Sequence, residues 1–274
     1  MAVFSTNSAG PLLDIRNLRV AFDTAAGPFL AVDGIDVQVS AREVLAIVGE
    51  SGSGKSTLAR VVAGLLPPIA GVCAFQGSDL PGSYRKRGAD LLRRIQLIYQ
   101  LPDVALNPRQ TVAETIGRPL ARFQGLKGRA NRAEMLRLLD QIGLPAQMAD
   151  RLPGALSGGQ KQRVCIARAL AAAPELIICD EVTSALDPLV AEDILRLLRK
   201  LQDELGMTYL FITHDLSVVK RLADRTVVMQ QGRIVEMADT ATLFDAPGQA
   251  YTRKLLASVP QLDPGWLDQA LAGA

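Results

Sequence analysis

A glycine-rich segment, Gly49–Ser56, has the residue types and spacing that can surround a phosphate group. It fits the pattern G-x-x-x-x-G-K-[ST], follows a short apolar run at Val44–Val48 and leads into a helical pattern. Glycines let the backbone turn so that consecutive N–H groups point inward, and the helix adds the positive end of its dipole. We predict that Lys55 reaches the β- and γ-phosphates of a nucleotide and that Ser56 binds Mg²⁺. The expected nucleotide contacts in this phosphate loop are Gly49, Ser51, Gly52, Ser53, Gly54, Lys55, Ser56 and Thr57.

Two acids follow a second apolar run, Leu176–Cys179. Such a run is typical of a buried strand, so Asp180 and Glu181 would lie at a strand end. A phosphate-loop protein needs an aspartate there to hold the hydration shell of Mg²⁺, and Asp180 fits that role. Glu181 could orient and polarise an attacking water molecule. The alternative is that both acids only cap the next helix, but the presence of the phosphate loop favours the chemical role.

The chain has a single histidine, His214, which excludes a zinc site with several histidines. A Ser-His-Asp triad would have to use this one residue. His214 follows the apolar run Tyr209–Thr213, so it would end a strand of the same predicted sheet. Ligands bind beyond the carboxyl ends of such strands. We therefore expect His214 near the γ-phosphate, with a structural histidine as the alternative.

The segments that must position these groups alternate between strand and helix patterns. Strand patterns cover 12–22, 35–39, 44–48, 71–76, 95–99, 176–179, 208–213, 225–230 and 233–235, and helix patterns cover 55–65, 112–123, 131–142, 158–172, 189–205 and 216–223. Residues 24–28 are predicted to be a loop, and Gly143 and Gly206 to end two helices. Strands alternating with helices predict a mostly parallel sheet, and the helix-rich stretch 101–156 is predicted to be an inserted subdomain.

The amino-acid composition argues against some classes of function and of covalent structure. The 274 residues include 30 Lys and Arg against 28 Asp and Glu, a net charge of +2. This balance argues against a general nucleic-acid binder, so the basic stretch 84–94 is interpreted as a solvated loop and a helix start. Cys73, Cys165 and Cys179 form no C-x-x-C pair, which favours buried thiols in a reducing compartment over a disulfide framework.

The sequence shows no run of about 20 predominantly apolar residues, the length that a membrane helix needs. Residues 1–10 lack the basic and apolar regions of a signal peptide. We expect a soluble, cytoplasmic chain whose membrane role, if any, comes through a partner. Residues 266–271 are expected to belong to a short tail packed on the core rather than to a docking helix.

The sequence LSGGQ at Leu156–Gln160 stands about 20 residues before the acidic pair. With the phosphate loop, Gln100 at a strand end, Ser184–Asp187 and His214, it makes the chain resemble the ATP-binding subunit of an ABC transporter, from about Leu12 to Pro260. The resemblance implies an α/β fold of the P-loop NTPase type. That fold has a mostly parallel core sheet, an antiparallel β-subdomain and an inserted helical subdomain.

The resemblance also implies a domain organisation. Residues 1–274 would form one ATP-binding domain, with an α/β core at 11–100 and 157–245. The helical subdomain would be 101–156, with the LSGGQ signature at its end, and 246–274 would be a C-terminal extension.

Two such subunits are implied to pair head to tail around two ATP molecules, with each phosphate loop facing the partner's LSGGQ segment. The implied catalytic residues are Glu181, His214, Gln100 and Lys55, the Mg²⁺ ligands are Ser56, Gln100 and Asp180, and the residues at the interface are Ser157, Gly158, Gly159, Gln160 and Asp187. The backbone N–H groups of the signature would sit at a helix N-terminus and could donate to a γ-phosphate. Phe22 is expected to stack on adenine, with Phe29 as the competing candidate.

Three further segments resemble the importers of oligopeptides, dipeptides and nickel: Leu106–Arg109, DEVTSALD beginning at Asp180, and Tyr251–Leu256. No cysteine follows Cys179, so we expect no iron–sulfur cluster of the kind that this group often carries. The implied partners are a second ATPase subunit (a copy or a paralogue), two membrane permease subunits and, indirectly, an extracytoplasmic substrate-binding protein, with no nucleic acid. The chain would lie peripherally on the cytoplasmic face of the inner (plasma) membrane.

Two other functions compete with transport. One is an ABC ATPase that acts on the ribosome or on DNA, but such proteins usually have two fused nucleotide domains or a long coiled coil, and this sequence shows no sustained heptads. The other is a regulatory subunit without turnover, which the presence of Glu181 and His214 disfavours.

Overall fold

The computed structural model describes residues 10–25 and 27–258. The expectations for the first nine residues and for 266–271 lie outside these ranges, and so does most of the expected C-terminal extension. The elements are β1 (Leu13–Thr24), β2 (Gly27–Val39), β3 (Val44–Val48), α1 (Lys55–Val62), β4 (Ala70–Phe75), β5 (Ser78–Asp79), α2 (Ala89–Arg94), β6 (Ile95–Ile98), α3 (Pro102–Ala105), α4 (Val112–Gln124), α5 (Gly128–Gln141), α6 (Gly158–Leu170), β7 (Leu176–Asp180), α7 (Pro188–Leu205), β8 (Thr208–Ile212), α8 (Leu216–Leu222), β9 (Arg225–Gln230), β10 (Arg233–Asp239), α9 (Thr240–Asp245) and α10 (Ala250–Ala257).

A six-stranded sheet runs through the described residues in the order β10-β9-β3-β8-β7-β6. Its strands β9, β3, β8, β7 and β6 are parallel, and β10 pairs antiparallel with β9. Every residue of β3, β7 and β8 is buried, which is why these strands are continuous apolar runs in the sequence. The carboxyl ends of β3, β8, β7 and β6 meet at one edge, where a ligand is expected in such a sheet.

A four-stranded antiparallel sheet, in the order β2-β1-β4-β5, packs beside the parallel sheet. The predicted loop at 24–28 is largely wrong here, because Thr24 pairs with Gly27 and the chain reverses between them. The Thr24 hydroxyl donates to the Gly27 carbonyl oxygen at 2.6 Å and closes the turn. β2 therefore begins at Gly27 instead of residue 35, and the cross-strand pair Phe22–Phe29 is one of those that support it.

The helices α3 to α6 lie between β6 and β7 in the sequence. The N-terminus of α4 is closed by a reciprocal pair: the Thr111 hydroxyl accepts from the Glu114 N–H, and the Glu114 carboxylate accepts from the Thr111 N–H. Gly125 ends this helix in the left-handed conformation. The buried faces of α4, α5 and α6 share one apolar cluster with α7, β7 and β8, so these helices are continuous with the core of the parallel sheet.

Helix α5 begins at Gly128, three residues before the predicted start at Asn131. Asn131 lies inside the helix, and its side-chain amide donates to the carbonyl oxygens of Gly117 and Leu126. Asparagine often caps helices, but here Asn131 joins α5 to α4 instead. Gly143 follows the helix end with a positive φ of 68°.

Two helices end earlier than predicted. α1 ends at Val62 instead of residue 65, because Gly64 adopts a φ of 76° and breaks the helical path. α6 ends at Leu170 instead of residue 172, shortly before Ala173 takes a φ of 50°. The Gly206 end of α7 and the hairpin of β9 and β10 are confirmed.

The predicted fold class is confirmed by the parallel sheet, the antiparallel sheet and the helices between β6 and β7. In the part of the chain that the structure describes, every helix is too short or too polar to cross a membrane. Cys73, Cys165 and Cys179 are buried free thiols, as expected. Burial raises the pKa of the Cys73 and Cys165 thiols to about 11.

The basic stretch 84–94 is not uniformly solvated, so that interpretation is wrong for Arg87. Arg87 is buried, and its guanidinium donates to the carbonyl oxygens of Val62 at 2.7 Å and Pro81 at 3.0 Å. Val62 ends α1, where backbone carbonyls lack helical partners. Arg87 therefore satisfies the end of the helix that carries the phosphate loop, and burial lowers the pKa of its guanidinium.

We expect Arg87→Ala to lower the free energy of unfolding by about 2–4 kcal/mol, since it leaves buried carbonyl oxygens without donors. Urea unfolding followed by circular dichroism measures this. Arg85→Ala, two residues away on the exposed side, is the matched control and should leave the midpoint unchanged. Equal midpoints for the two variants would contradict the role of Arg87.

Candidate functional site

The phosphate loop connects β3 to α1 and depends on two close backbone approaches. Gly49 has a φ of 146°, and a Cβ there would lie 2.1 Å from the Met229 carbonyl oxygen in β9. Gly54 has a φ of 104°, and a Cβ there would lie 2.3 Å from the Ala31 carbonyl oxygen in β2. Glycine is needed at both positions, so the loop is held between β9 and β2.

The Lys55 side chain lies inside this loop and is only 5% exposed. Its amine donates to the carbonyl oxygens of Gly49 and Glu50, both at 2.7 Å. Burial lowers the pKa of Lys55, and the nearby carboxylates of Glu181 and Asp180 partly oppose that shift. An anion entering the loop would favour the charged amine for the same reason.

Asp180 ends β7, two strands away from β3 in the sheet, and faces the start of α1. The Ser56 hydroxyl donates to Asp180 Oδ1 at 2.8 Å. Asp180 is 8% exposed, and burial raises the pKa of its carboxyl while the Ser56 hydrogen bond opposes that rise. The structure thus brings the predicted pair of oxygen ligands, Ser56 and Asp180, into direct contact.

Glu181 has a backbone conformation that is rare for a side-chain-bearing residue, with a φ of 50°. Its N–H donates to the Ile212 carbonyl oxygen in β8 at 2.9 Å, which holds this turn against the next strand. Backbone strain of this kind clusters at functional sites, because the surrounding structure must stabilise it. The turn aims the Glu181 carboxylate across the strand ends instead of along β7.

Polar side chains that follow the two neighbouring strands, β6 and β8, lie against the carboxylate of Glu181, which follows β7. The Gln100 amide, after β6, donates to Glu181 Oε2 at 2.9 Å. His214, after β8, places Nδ1 3.5 Å from Glu181 Oε1. The predicted parallel sheet put Glu181 and His214 at one sheet edge, and the family resemblance implied that Gln100 acts with them. The structure places Gln100 and His214 around the Glu181 carboxylate.

A cleft of about 220 Å³ opens beside the phosphate loop. Its lining residues are Phe22, Phe29, Ala31, Ser51, Gly52, Gly54, Lys55, Ser56, Thr57 and Glu181. The rings of Phe22 and Phe29 are 37% and 55% exposed and belong to one cross-strand pair. Both aromatic candidates therefore lie at the same mouth of the cleft.

The LSGGQ segment lies elsewhere in the described chain and does not line this cleft. Ser157 caps α6: its hydroxyl accepts from the Gln160 N–H, and the Gln160 side chain accepts from the Ser157 N–H. A Cβ at Gly159 would lie 2.4 Å from Val190 of α7, so only glycine permits this packing. Asp187 caps α7 beside it by accepting from the Val190 N–H at 3.1 Å. The first-turn N–H groups of Gly158 and Gly159 have no acceptor within the helix.

Two side chains contact the site without having been assigned to it from the sequence. The Ser184 hydroxyl accepts from the Gln100 amide at 3.1 Å and donates to the Glu181 carbonyl oxygen at 3.0 Å. The Tyr251 hydroxyl, on α10, accepts from the Glu50 N–H at 3.3 Å. Ser184 stood within a motif and Tyr251 within a subfamily segment, but neither signal assigned a contact, because the Ser184–Gln100 and Tyr251–Glu50 contacts join distant parts of the chain.

Two family models match the chain. The ABC transporter model matches residues 32–184, and the model of the oligopeptide/dipeptide transporter C-terminal region matches residues 235–274. The first match includes the phosphate loop, the LSGGQ segment and the acidic pair. The second includes most of β10 and all of α9 and α10.

Curated relatives and solved structures agree with these matches. The chain is 42% identical to the oligopeptide transport ATP-binding protein AmiF of Streptococcus pneumoniae over 92% of this chain and 83% of that protein. It is 37% identical to the oligopeptide transport ATP-binding protein OppF of Lactococcus lactis over 92% of this chain and 81% of that protein. Its structure resembles cbiO1 of Clostridium perfringens, part of the transporter complex cbiONQ, with a TM-score of 0.76, 30% identity and coverage of 86% and 92%. It also resembles the cassette MJ0796, seen as a dimer bound to ADP and phosphate, with a TM-score of 0.74, 29% identity and coverage of 83% and 98%.

The close backbone approach at Gly49 yields a stability prediction. Gly49→Ala should lower the free energy of unfolding by about 3 kcal/mol, since the new methyl group would overlap the Met229 carbonyl oxygen in a strained backbone. Gly52→Ala is the matched control, because Gly52 also has a positive φ but nothing lies within 4 Å of its Cβ position. Gly52→Ala should lower the free energy of unfolding by only about 1 kcal/mol, and urea unfolding of both variants measures the difference. A Gly49→Ala loss no larger than the control's would rule out the close approach.

Proposed function

The chain belongs to the ABC transporter family of ATPases, and we propose that it is the ATP-hydrolysing subunit of a peptide importer. The observation that carries the ATPase part is the meeting of the phosphate loop with Asp180, Glu181, Gln100 and His214 at one sheet edge. The peptide part is supported by the match of residues 235–274 to the oligopeptide/dipeptide transporter region and by relatives named for oligopeptide transport.

We place the triphosphate of ATP in the phosphate loop. Backbone N–H groups of the loop and the N-terminus of α1 would surround the β-phosphate, and Lys55 would turn from the carbonyl oxygens of the loop to the β- and γ-phosphates. The base would lie at the mouth of the cleft, where Phe22 and Phe29 both offer an exposed ring face for stacking. The order of phosphate, ribose and base thus follows the cleft from Lys55 outward.

Mg²⁺ fits the oxygen atoms that Ser56 and Asp180 bring together. No group of three or more His, Cys, Asp or Glu side chains in residues 10–25 and 27–258 is arranged to hold a metal ion by itself. That suits Mg²⁺, which is commonly bound through one or two carboxylates with phosphate oxygens and water as its other ligands. Ser56, Asp180 and Gln100 would hold the ion, which when bound neutralises charge on the phosphates.

Hydrolysis needs a water molecule aligned with the γ-phosphate. Glu181 would accept a hydrogen bond from that water and polarise it, while Gln100, whose amide also donates to the Ser184 hydroxyl, holds the carboxylate in position. His214, beside the same carboxylate, would contact the γ-phosphate and register its loss. Lys55 would stabilise the charge that develops on the transferred phosphoryl group.

A second subunit would complete the site. Ser157, Gly158, Gly159, Gln160 and Asp187 lie away from the cleft of their own chain. The N–H groups of Gly158 and Gly159, in the first turn of α6, would meet a phosphate from a partner. A head-to-tail dimer puts this helix against the partner's γ-phosphate. The cassette MJ0796, which has a similar fold, is dimeric in its solved structures, and this supports the pairing of two subunits.

We further propose that the chain docks on two membrane permease subunits at the cytoplasmic face of the plasma membrane. The similarity to cbiO1, part of a transporter complex, supports such partners. A substrate-binding protein outside the membrane would choose the peptide and act on this chain only through the permeases.

Glu181→Gln should lower ATP turnover by about 100-fold or more while ATP binding is kept, because the amide retains the shape but polarises water poorly. The variant should accumulate as a dimer in Mg²⁺ and ATP, measured by gel filtration with light scattering. Glu204→Gln, on the exposed end of α7, is the matched control and should turn over ATP normally. A Glu181→Gln chain that stays monomeric in saturating ATP would contradict the dimer model.

The importer assignment predicts that the tagged chain co-purifies from membranes with integral permease subunits. Cells in which the chain carries Lys55→Ala should lose ATP-dependent uptake of labelled di- and oligopeptides, while Lys254→Ala, an exposed lysine on α10, should keep it. Tight binding to ribosomes or DNA without permease subunits would overturn the transport function in favour of the competing one.

A further inference from the structure

The C-terminal part of the described chain is tied to the phosphate loop through α10. The Glu236 carboxylate, on β10, accepts from the N–H groups of Gly248 at 2.7 Å and Gln249 at 3.0 Å. Gly248 and Gln249 directly precede α10, and Gln249 is its N-cap residue. Glu236 therefore fixes where α10 starts relative to the parallel sheet.

Tyr251, the second residue of α10, extends this connection to the loop. Its ring packs against the buried cluster of Ala46, Val48, Val228 and their neighbours, directly beneath the end of β3. Its hydroxyl accepts from the Glu50 N–H at 3.3 Å. The ring is thus anchored in the sheet while the hydroxyl contacts the second residue of the loop.

The Glu50 N–H belongs to the same peptide group as the Gly49 carbonyl oxygen, which accepts from the Lys55 amine at 2.7 Å. Lys55 and Tyr251 therefore hold the two ends of one peptide dipole. When Lys55 turns to a phosphate, as the proposed function requires, it gives up that carbonyl. The Tyr251 hydroxyl is then the side-chain contact that keeps the Gly49–Glu50 peptide in its orientation.

The other end of the loop is held from the same region of the chain. The Gly232 N–H, in the turn between β9 and β10, donates to the Ser53 carbonyl oxygen at 3.1 Å. The β9–β10 turn and α10 thus contact the loop near its two ends, and Glu236, on β10, joins this hairpin to α10. The region that matches the oligopeptide/dipeptide transporter model, residues 235–274, includes Glu236 and Tyr251.

We propose that Tyr251 is a positioning residue for the phosphate loop, and that Glu236 acts through it, so that the C-terminal region sets the affinity for ATP. This inference rests on the proposed nucleotide site. The C-terminal region then has a role inside the subunit. The tyrosine orders the first peptide of the loop before ATP binds, so the free energy of binding is not reduced by the cost of ordering that peptide.

The test is calorimetric titration of Mg²⁺ and ATP into the full chain. Tyr251→Phe removes one neutral hydrogen bond and keeps the ring, so we expect the dissociation constant for ATP to rise about fivefold. The stoichiometry and the thermal midpoint without nucleotide should stay as in the unmodified chain. Tyr84→Phe, which removes an exposed hydroxyl far along the chain, is the matched control and should leave the dissociation constant unchanged.

A double-mutant cycle tests whether Glu236 acts through Tyr251. Glu236→Ala should weaken ATP binding in the unmodified chain but have little further effect in the Tyr251→Phe background, because its influence passes through the same contact. Full additivity would overturn this part of the inference.

The remaining outcomes separate the inference from the proposed function. A lower stoichiometry with an unchanged dissociation constant in Tyr251→Phe would mean a merely structural role and would overturn the inference. Unchanged binding in Tyr251→Phe while Lys55→Ala loses ATP would overturn it too, yet leave the nucleotide site intact. Failure of the unmodified chain to bind ATP, or unchanged binding in Lys55→Ala, would instead reject the proposed function.

Discussion

Two glycine backbones pass so close to neighbouring carbonyl oxygens that no side chain fits, and the site depends on that contact. Gly49 lies against β9 of the parallel sheet, and Gly54 lies against β2 of the antiparallel sheet. The phosphate loop is therefore the junction of the two sheets. Its shape is set by tertiary packing at both ends, which lets a short, hydrogen-bonded turn enclose the Lys55 amine.

Burial acts on the charges of this junction in opposite senses. It lowers the pKa of Lys55 and raises the pKa of Asp180, so the charged form of each group is made less favourable. A ligand that brings an anion to the amine and a cation to the carboxylate reverses both effects. A nucleotide triphosphate with Mg²⁺ is such a ligand, and this matching of charges is the physical basis for the proposed ATP site.

The cleft and the LSGGQ segment, which face each other in the proposed dimer, are built from different kinds of chemical group. Beside the cleft, Gln100 after β6 and His214 after β8 contact the carboxylate of Glu181, which follows β7. The register of the buried strands sets their positions. At the LSGGQ segment, Ser157 and Gln160 cap α6 and leave backbone N–H groups free. One surface is thus an array of side chains and the other is a helix end, and the proposed dimer brings the two kinds of surface to one phosphate.

The amino-acid sequence by itself determined the features whose residues are contiguous: the phosphate loop, the acidic end of β7, the buried strands and the family. It also predicted that Glu181 and His214 share a sheet edge, since parallel strands align their carboxyl ends, while the place of Gln100 beside them was implied by the family resemblance. Only the tertiary structure decided that Arg87 is buried, that β2 starts at Gly27, that Glu181 takes a left-handed turn and that Tyr251 contacts Glu50. The start of β2 follows from its pairing with β1, which the residue types at 24–28 do not reveal. The other three depend on groups far apart in the chain, and local patterns of hydrophobicity and turn residues carry no information about which distant group supplies the partner.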